Sequence, residues 1–116
     1  MHNRAKGDMA EKAAILHLEH NGYDILSTNY TCKSGEIDII ARHGEFLIFV
    51  EVKMRRTNTY GLPREAVNLK KQDTIKKVAQ FYINEKKLHS IDCRFDVIEV
   101  TGSRDMKITH IENAFW

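Results

Sequence analysis

The stretch GEIDIIARHGEFLIFVEVKMRR, residues 35–56, determines which fold the rest of the chain can adopt. Apolar residues lead into the short segment 42–45, and an almost continuous apolar run follows from Phe46 to Val52. This pattern predicts a β-hairpin whose second strand is central in a sheet and covered on both faces. Four charged residues nevertheless stand within the hairpin, namely Glu36, Asp38, Glu51 and Lys53.

The directions of these four side chains depend on the register of the hairpin. Side chains alternate along a strand, so the two acids of the first strand share a face, and Glu51 shares a face with Lys53. A two-residue turn at residues 43–44 would place Glu36 opposite Glu51. All four charged groups would then point to the same side, whereas a three-residue turn would scatter them.

A divalent cation is one physical reason for collecting acids at the end of a hairpin. Neighbouring carboxylates repel each other, and each loses favourable hydration when it is buried. Lys53 offsets only part of this cost, and oxygen ligands from carboxylates together with retained waters are what Mg²⁺ prefers. The pattern alone also allows a solvated patch at a strand end, with Lys53 as its counter-ion.

The same residues resemble the signature of the PD-(D/E)XK nuclease superfamily, since Asp38 is followed after twelve residues by Glu51-Val52-Lys53. A longer set of segments resembles the small bacterial YraN family: GEIDII, FVEVK followed by Arg55, Gly61, Ala66-Val67, Lys71-Gln72, Arg94-Phe95-Asp96 and Asn113-Ala114-Phe115. That family is described as uncharacterised and as similar to archaeal Holliday-junction resolvases. The resemblance covers nearly the whole chain.

The resemblance implies an endonuclease that depends on Mg²⁺ or Mn²⁺ and hydrolyses DNA phosphodiester bonds. It implies that Asp38 and Glu51 bind the metal together with the carbonyl oxygen of Val52, and that Lys53 positions the attacking water or contacts the phosphate. Likeness to the resolvases implies branched DNA such as a Holliday junction as the substrate. It also implies a homodimer, because a two-fold symmetric junction matches a two-fold symmetric protein.

Glu36 and Glu11 are the remaining catalytic candidates, as secondary metal ligands. Glu11 lies in a predicted helix over residues 8–20, where it has two interpretations. It completes a capping box with Asp8, or, by the resemblance, it supports the metal site through water. The family usually has glycine just before this acid, where this chain has Ala10, and we expect only a small local change because alanine favours helices.

Positive charge is concentrated in residues 53–87, which hold ten Lys or Arg against three acids, whereas the net charge of the whole chain is +2. A basic segment that follows an acidic cluster favours a polyanion held beside a cation, although a solvated helix face is the alternative. Gln72 is included by the resemblance only, as a group that orients a water or a sugar. The candidates for contacting nucleic acid are Arg55, Arg56, Arg64, Lys70, Lys71 and Gln72.

The remaining patterns predict the order α-β-β-β-α-β-β, which suits an α/β fold with a mixed central sheet flanked by helices. The second helix is expected from the N-cap Asn68 to about Lys87, with Lys71 pointing partly inward, and the last strand over about residues 107–111. The resemblance implies the same arrangement, a restriction-endonuclease-like core. At 116 residues the chain has the length of one domain.

Several protein classes are excluded by composition. No run of about 18 apolar residues exists, so a membrane span is not expected. Residues 1–20 are too charged for a secretory signal. Cys32 and Cys93 are far apart in sequence and are expected to be reduced thiols. We therefore expect a cytoplasmic protein.

Two other functions remain compatible with the sequence. A catalytically silent nucleic-acid-binding module of the same fold would bind DNA without metal and with a strong salt dependence. The intact set of Asp38, Glu51 and Lys53 argues against this alternative. A protein-interaction domain that uses the terminal residues Phe115 and Trp116 would need no nucleic acid, and the basic segment argues against it.

Overall fold

The computed structural model describes residues 4–55, 67–102 and 104–115, with side chains from residue 7 onward. Within these residues, the order of helices and strands is the predicted α-β-β-β-α-β-β. The elements are α1 (Arg4–His20), β1 (Asp24–Cys32), β2 (Gly35–His43), β3 (Phe46–Arg55), α2 (Leu69–Lys86), β4 (Asp92–Thr101) and β5 (Lys107–Phe115).

The five strands form one sheet in the order β1-β2-β3-β4-β5. β3 and β4 are parallel, and the other three neighbouring pairs are antiparallel. The parallel pair arises because α2 lies between β3 and β4 in the chain and carries it back across the sheet. The predicted mixed α/β architecture is confirmed.

Each face of the sheet is covered by one helix over an apolar layer. On one face, Ile75 and Val78 of α2 pack with Phe49 of β3. On the other face, Leu18 of α1 belongs to the layer that contains Ile48 of β3. Because β3 contributes alternate side chains to both layers, the prediction of a central strand covered on both faces is confirmed.

The turn of the hairpin lies one residue further along the chain than predicted. His43 pairs with Phe46, so Gly44 and Glu45 form the turn. Gly44 has a φ of 60°, a left-handed value that suits glycine at the first central position of a type II′ turn. The conformational freedom of Gly44 therefore decides where the strand reverses.

This turn shifts the pairing of β2 with β3 by two residues. The predicted pairing of Glu36 with Glu51 is wrong, because the register places Ile39 opposite Val50, where the pairing ends. The next positions along the two strands are Asp38 and Glu51. A shift by an even number preserves which side chains face the core, so the apolar pattern could not distinguish the two registers.

The first helix begins at Arg4, four residues earlier than predicted. Asp8 therefore lies inside α1 and cannot be its N-cap, so the capping-box interpretation of Glu11 is wrong. Alanine and lysine at positions 5 and 6 favour the helix, and Gly7 within it costs only about 1 kcal/mol. The predicted end at His20 is confirmed.

The second helix agrees with its prediction. The side chain of Asn68 accepts a hydrogen bond from the backbone N–H of Lys71 at 2.8 Å, which is the expected N-cap. α2 ends at Lys86, and Lys87 adopts a left-handed conformation just beyond it. Neither helix, within the part of the chain described, is long and apolar enough to cross a membrane.

The last strand is longer than predicted, because β5 continues to Phe115. Phe115 is buried and stacks on Phe95 with 5.3 Å between the ring centres. This aromatic residue therefore docks on the chain's own core, while Trp116 lies outside the described residues. Cys32 and Cys93 are free thiols, as expected.

Candidate metal and nucleic-acid site

The predicted site lies where β2 and β3 diverge. Beyond the last pair, β2 remains paired with β1 while β3 continues beside β4. The backbone N–H of Val52 donates to Oδ2 of Asp38 at 2.8 Å. The carboxylate of Asp38 on β2 thus accepts a hydrogen bond from the backbone of β3, which links the two strands beyond their last backbone pair. The carbonyl oxygen of Val52 as a metal ligand stays a prediction.

The two acids at this divergence are Asp38, which is half-buried, and Glu51, which is buried. Burial and the negative charge of Glu51 together raise the pKa of Asp38 to about 7, although the N–H of Val52 opposes the shift. Glu51 is only 6% exposed, and burial raises its pKa, which the charges of Lys71 and Lys53 oppose. Two such acids would be stabilised by a nearby divalent cation.

Lys71 links α2 to these acids. Its Nζ lies 3.7 Å from Oε2 of Glu51, and its side chain is 44% exposed, so the predicted partly inward direction is confirmed. Lys71 precedes the buried Ile75 by four residues, which directs both toward the sheet. Lys53 lies two residues beyond Glu51 on the same strand and is half-buried.

A second group of acids lies beside the first. Nδ2 of Asn29 donates to Oε2 of Glu11 at 2.9 Å and to Oε2 of Glu36 at 3.1 Å. Burial raises the pKa of Glu11, the hydrogen bond from Asn29 opposes this, and the charges of Asp38 and Glu36 add to it. The structure therefore brings the acid of the first helix to the candidate site.

The regular alternation of side chains breaks at Asp38. Ile37 packs in the apolar layer under α2, whereas Ile39, two residues later, packs in the layer under α1. Alternation therefore cannot place Glu36 and Asp38 on one face, and their shared face stays a prediction, although the charge of Glu36 acts on Asp38. Asn29, level with Asp38 in the register of β1 with β2, has a left-handed φ of 52°, so both strands are irregular here.

Arg55 is held by an acid that was not among the predicted site residues. Its Nε lies 2.6 Å from Oε2 of Glu99, whose side chain is 1% exposed. Glu99 pairs with Lys53 in the parallel register of β3 with β4. One available signal was an acid within the apolar run of β4, the feature that singled out Asp38 in β2.

The other predicted nucleic-acid contacts have different surroundings. Lys70 is exposed on the first turn of α2. Nε2 of Gln72 donates to the carbonyl oxygen of Val67 at 2.8 Å, so this side chain secures the start of the helix. Arg56 and Arg64 lie outside the described residues. The structure thus places Arg55 and Lys71 against buried acids and leaves Lys70 in solvent.

Comparison with known proteins identifies the family. A model described as uncharacterised protein family UPF0102 matches residues 10–100, which include Glu11, Asp38 and Glu51. The chain belongs to this family. The UPF0102 protein of Clostridium beijerinckii is 51% identical over 116 residues, covering 97% of this chain and 94% of its own. That of Clostridium acetobutylicum is 48% identical over 118 residues, covering 97% and 95%.

Membership in a family of uncharacterised bacterial proteins is therefore confirmed. A third relative, the UPF0102 protein of Alkaliphilus metalliredigens, is 47% identical over 113 residues, covering 97% of this chain and 99% of its own. These relatives carry no named activity. Placement in the PD-(D/E)XK superfamily stays a prediction.

The described donors of this UPF0102 protein can be compared with the needs of two kinds of metal site. In residues 4–55, 67–102 and 104–115, no group of three or more His, Cys, Asp or Glu is arranged to hold a metal ion. This argues against a closed four-ligand site of the zinc type. Mg²⁺, in contrast, is commonly bound by one or two carboxylates and keeps several waters. Asp38 and Glu51 fit that second mode.

A separate polar cluster on the α1 face of the sheet has a structural role. Asp96 is 0% exposed. It accepts two hydrogen bonds from Arg94, one from His110 and one from the backbone N–H of Asn113. Burial alone would raise the pKa of Asp96, but these hydrogen bonds lower it. Arg94 thus pairs with Asp96 within β4, and the hydrogen bonds from His110 and Asn113 tie β4 to β5.

Proposed function

We propose that this UPF0102 protein is a Mg²⁺- or Mn²⁺-dependent endonuclease of the PD-(D/E)XK superfamily. Its substrate would be DNA in the cytoplasm, in particular branched DNA such as a Holliday junction. The observation that carries the proposal is the burial of Asp38 beside Glu51, which raises the pKa of both. Such an arrangement costs stability in the absence of a cation, and a scaffold has no need of it.

Asp38 and Glu51 would hold the cation, with the carbonyl oxygen of Val52 as a third donor. A divalent cation bound there supplies a Lewis acid and lowers the pKa of a bound water. The N–H of Val52 keeps the Asp38 carboxylate oriented. Glu11 and Glu36 lie at the edge of the site and would accept hydrogen bonds from cation-bound waters.

The lysines would act on the phosphate and the attacking water. Lys53 would orient the water or contact the scissile phosphate. Lys71 is attracted to Glu51, with its Nζ 3.7 Å from Oε2. A cation on Glu51 weakens that attraction, so Lys71 would then contact a phosphate oxygen.

The basic segment would hold the DNA backbone. Lys70 is exposed on α2, and Lys77 on the same helix is also exposed, although it pairs with Asp73. Phosphate contacts of this kind position a duplex without reading its sequence. A homodimer would present two such sites to a junction with two-fold symmetry. Arg55, Arg56, Arg64 and Gln72 complete the proposed contacts.

The test is cleavage of three fluorescent substrates: a four-way junction, a flap and a plain duplex. Each is incubated with the protein and Mg²⁺, Mn²⁺ or EDTA. We expect metal-dependent cleavage of the junction that falls by about 100-fold or more in Asp38→Asn and Glu51→Gln. Glu45→Gln, which removes an exposed acid in the hairpin turn at the other end of β2 and β3, is the matched control and should cleave normally.

Failure to cleave any of the three substrates with either metal would favour the alternative, a catalytically silent nucleic-acid-binding module. The observation that favours this alternative is the concentration of ten basic residues in the segment 53–87. Such a module would bind the same substrates in EDTA, with affinity falling steeply as salt is raised. Asp38→Asn would then bind DNA at least as tightly as wild type.

A further inference from the structure

Asn29 joins two acids that come from different elements. Its Nδ2 donates at 2.9 Å to Glu11 of α1 and at 3.1 Å to Glu36 of β2. A primary amide nitrogen carries two N–H donors, so each carboxylate takes one. The planar geometry of the amide therefore determines the spacing of the two carboxylates.

The backbone of Asn29 contributes to this arrangement. Its φ of 52° lies in the left-handed region, which residues other than Gly, Asn and Asp rarely adopt. Asn29 therefore supplies the donors for both carboxylates and also tolerates the left-handed backbone at this position. Glycine would keep the backbone and lose the donors, and aspartate would keep the backbone and add a third negative charge.

Asn29 is the donor that both carboxylates share. Both carry the same charge, and Glu36 is exposed, so without the amide each would turn toward solvent. Their presence beside Asp38 thus depends on Asn29.

We propose that Asn29 is a positioning residue that holds Glu11 and Glu36 against Asp38, in the orientation in which they support a divalent cation on Asp38 and Glu51. This inference rests on the proposed function. Asn29 does not touch the cation itself. It acts by aiming two acceptors at the waters that the cation retains.

The test is calorimetric titration of Mn²⁺ into wild type, Asn29→Gly and Asn113→Gly. Asn113 is the matched control because it has a φ of 53° on the opposite edge strand, and its backbone N–H to Asp96 survives the change. We expect Asn29→Gly to weaken Mn²⁺ binding by about 10- to 100-fold, as loss of an outer-shell partner does. Asn113→Gly should bind Mn²⁺ as wild type does.

A double-mutant cycle separates positioning from a general structural effect. In a Glu11→Gln/Glu36→Gln background, the change Asn29→Gly should alter Mn²⁺ affinity by less than about twofold, because its two acceptors are already neutral. Thermal melting of each variant shows that the fold is retained.

The outcomes distinguish this inference from the proposed function. If Asn29→Gly binds Mn²⁺ as tightly as wild type while Asp38→Asn does not bind, the positioning role is overturned and the cation site stands. The positioning role is also overturned if Asn29→Gly weakens binding equally in both backgrounds. If wild type binds no Mn²⁺, both proposals are overturned together.

Discussion

Asp38 accepts a hydrogen bond at 2.8 Å from the backbone N–H of Val52, so the first acid of the site is attached to the strand that carries the second, Glu51. This contact occurs where the backbone pairing of β2 with β3 has ended. The hydrogen bond favours the charged form of Asp38, while burial and the charge of Glu51 disfavour it. The site is therefore held together at a cost in electrostatic free energy.

The variant Asp38→Asn should be more stable than wild type at pH 8 in EDTA. The pKa of Asp38 is raised from 3.8 to about 7 in the folded chain. An acid with a raised pKa contributes stability below its ordinary pKa and loses it as pH rises through the folded value. We expect a gain of roughly 1–3 kcal/mol at pH 8, which urea unfolding measures, since solvent screens part of the shift.

At pH 4 the two proteins should have nearly equal free energies of unfolding, because Asp38 is then protonated in the folded chain. A variant that is less stable than wild type at pH 8 would show that the Asp38 charge is already compensated. The amide of asparagine can still accept the hydrogen bond from Val52, so that contact is preserved in the comparison.

Binding of Mn²⁺ should release a proton near neutral pH. Because the pKa of Asp38 is raised to about 7, its carboxylate is partly protonated at pH 6.5 and must ionise to bind a cation. Affinity should therefore rise by up to about tenfold per pH unit below 7 and level off above it. Calorimetry in buffers of different ionisation enthalpy counts the protons released.

In the variant Glu51→Gln, the side chains at positions 38 and 51 keep their burial, but one negative charge is removed. The pKa of Asp38, measured by NMR titration without metal, should then be lower than in wild type, since Glu51 is one cause of its raised value. Affinity that is constant from pH 5.5 to 8 in wild type would be inconsistent with a cation on Asp38.

Gly35→Ala should destabilise the fold by about 1–3 kcal/mol. A Cβ at this position would lie 2.7 Å from Cγ2 of Thr74 on α2, and the φ of Gly35 is 151°. Thr74→Ser removes that methyl group and keeps the hydroxyl that donates to Lys70. In guanidinium unfolding, the double variant Gly35→Ala/Thr74→Ser should recover the part of the lost stability that comes from the steric clash. No recovery would mean that the loss comes only from the strained φ of residue 35.

Arg55→Ala should cost about 3–5 kcal/mol, because it leaves the carboxylate of Glu99 buried without its guanidinium. Glu99 is 1% exposed, and its Oε2 lies 2.6 Å from Nε of Arg55. The double variant Arg55→Ala/Glu99→Gln should recover much of the loss, since the buried charge is gone. Equal stability of the single and double variants in urea unfolding would contradict this view of the pair.

Local patterns were sufficient to predict most of the fold. The apolar run from Phe46 indicated a strand covered on both faces, and Asn68 indicated the start of α2, because both signals act within a few residues. The turn at Gly44 was misplaced by one residue. Its two candidate registers bury the same side chains, so only the backbone conformation of the glycine separates them.

The candidate site was predictable in part for the same reason. Asp38, Glu51 and Lys71 were found because each is a charge within an apolar pattern. Glu99 followed the same rule and was overlooked. Asn29 gave no such signal, since a polar residue in an edge strand is ordinary and its partner Glu11 is 18 residues away.

The amino-acid sequence by itself determined the elements, their order and the burial of acids within a central hairpin, because alternation and capping are properties of neighbouring residues. Only the tertiary structure decided that β2 and β3 part after Ile39 and Val50, that Asn29 gathers Glu11 with Glu36, and that Glu99 holds Arg55. Those contacts join different elements. Their existence depends on how the helices and strands pack, which no local pattern specifies.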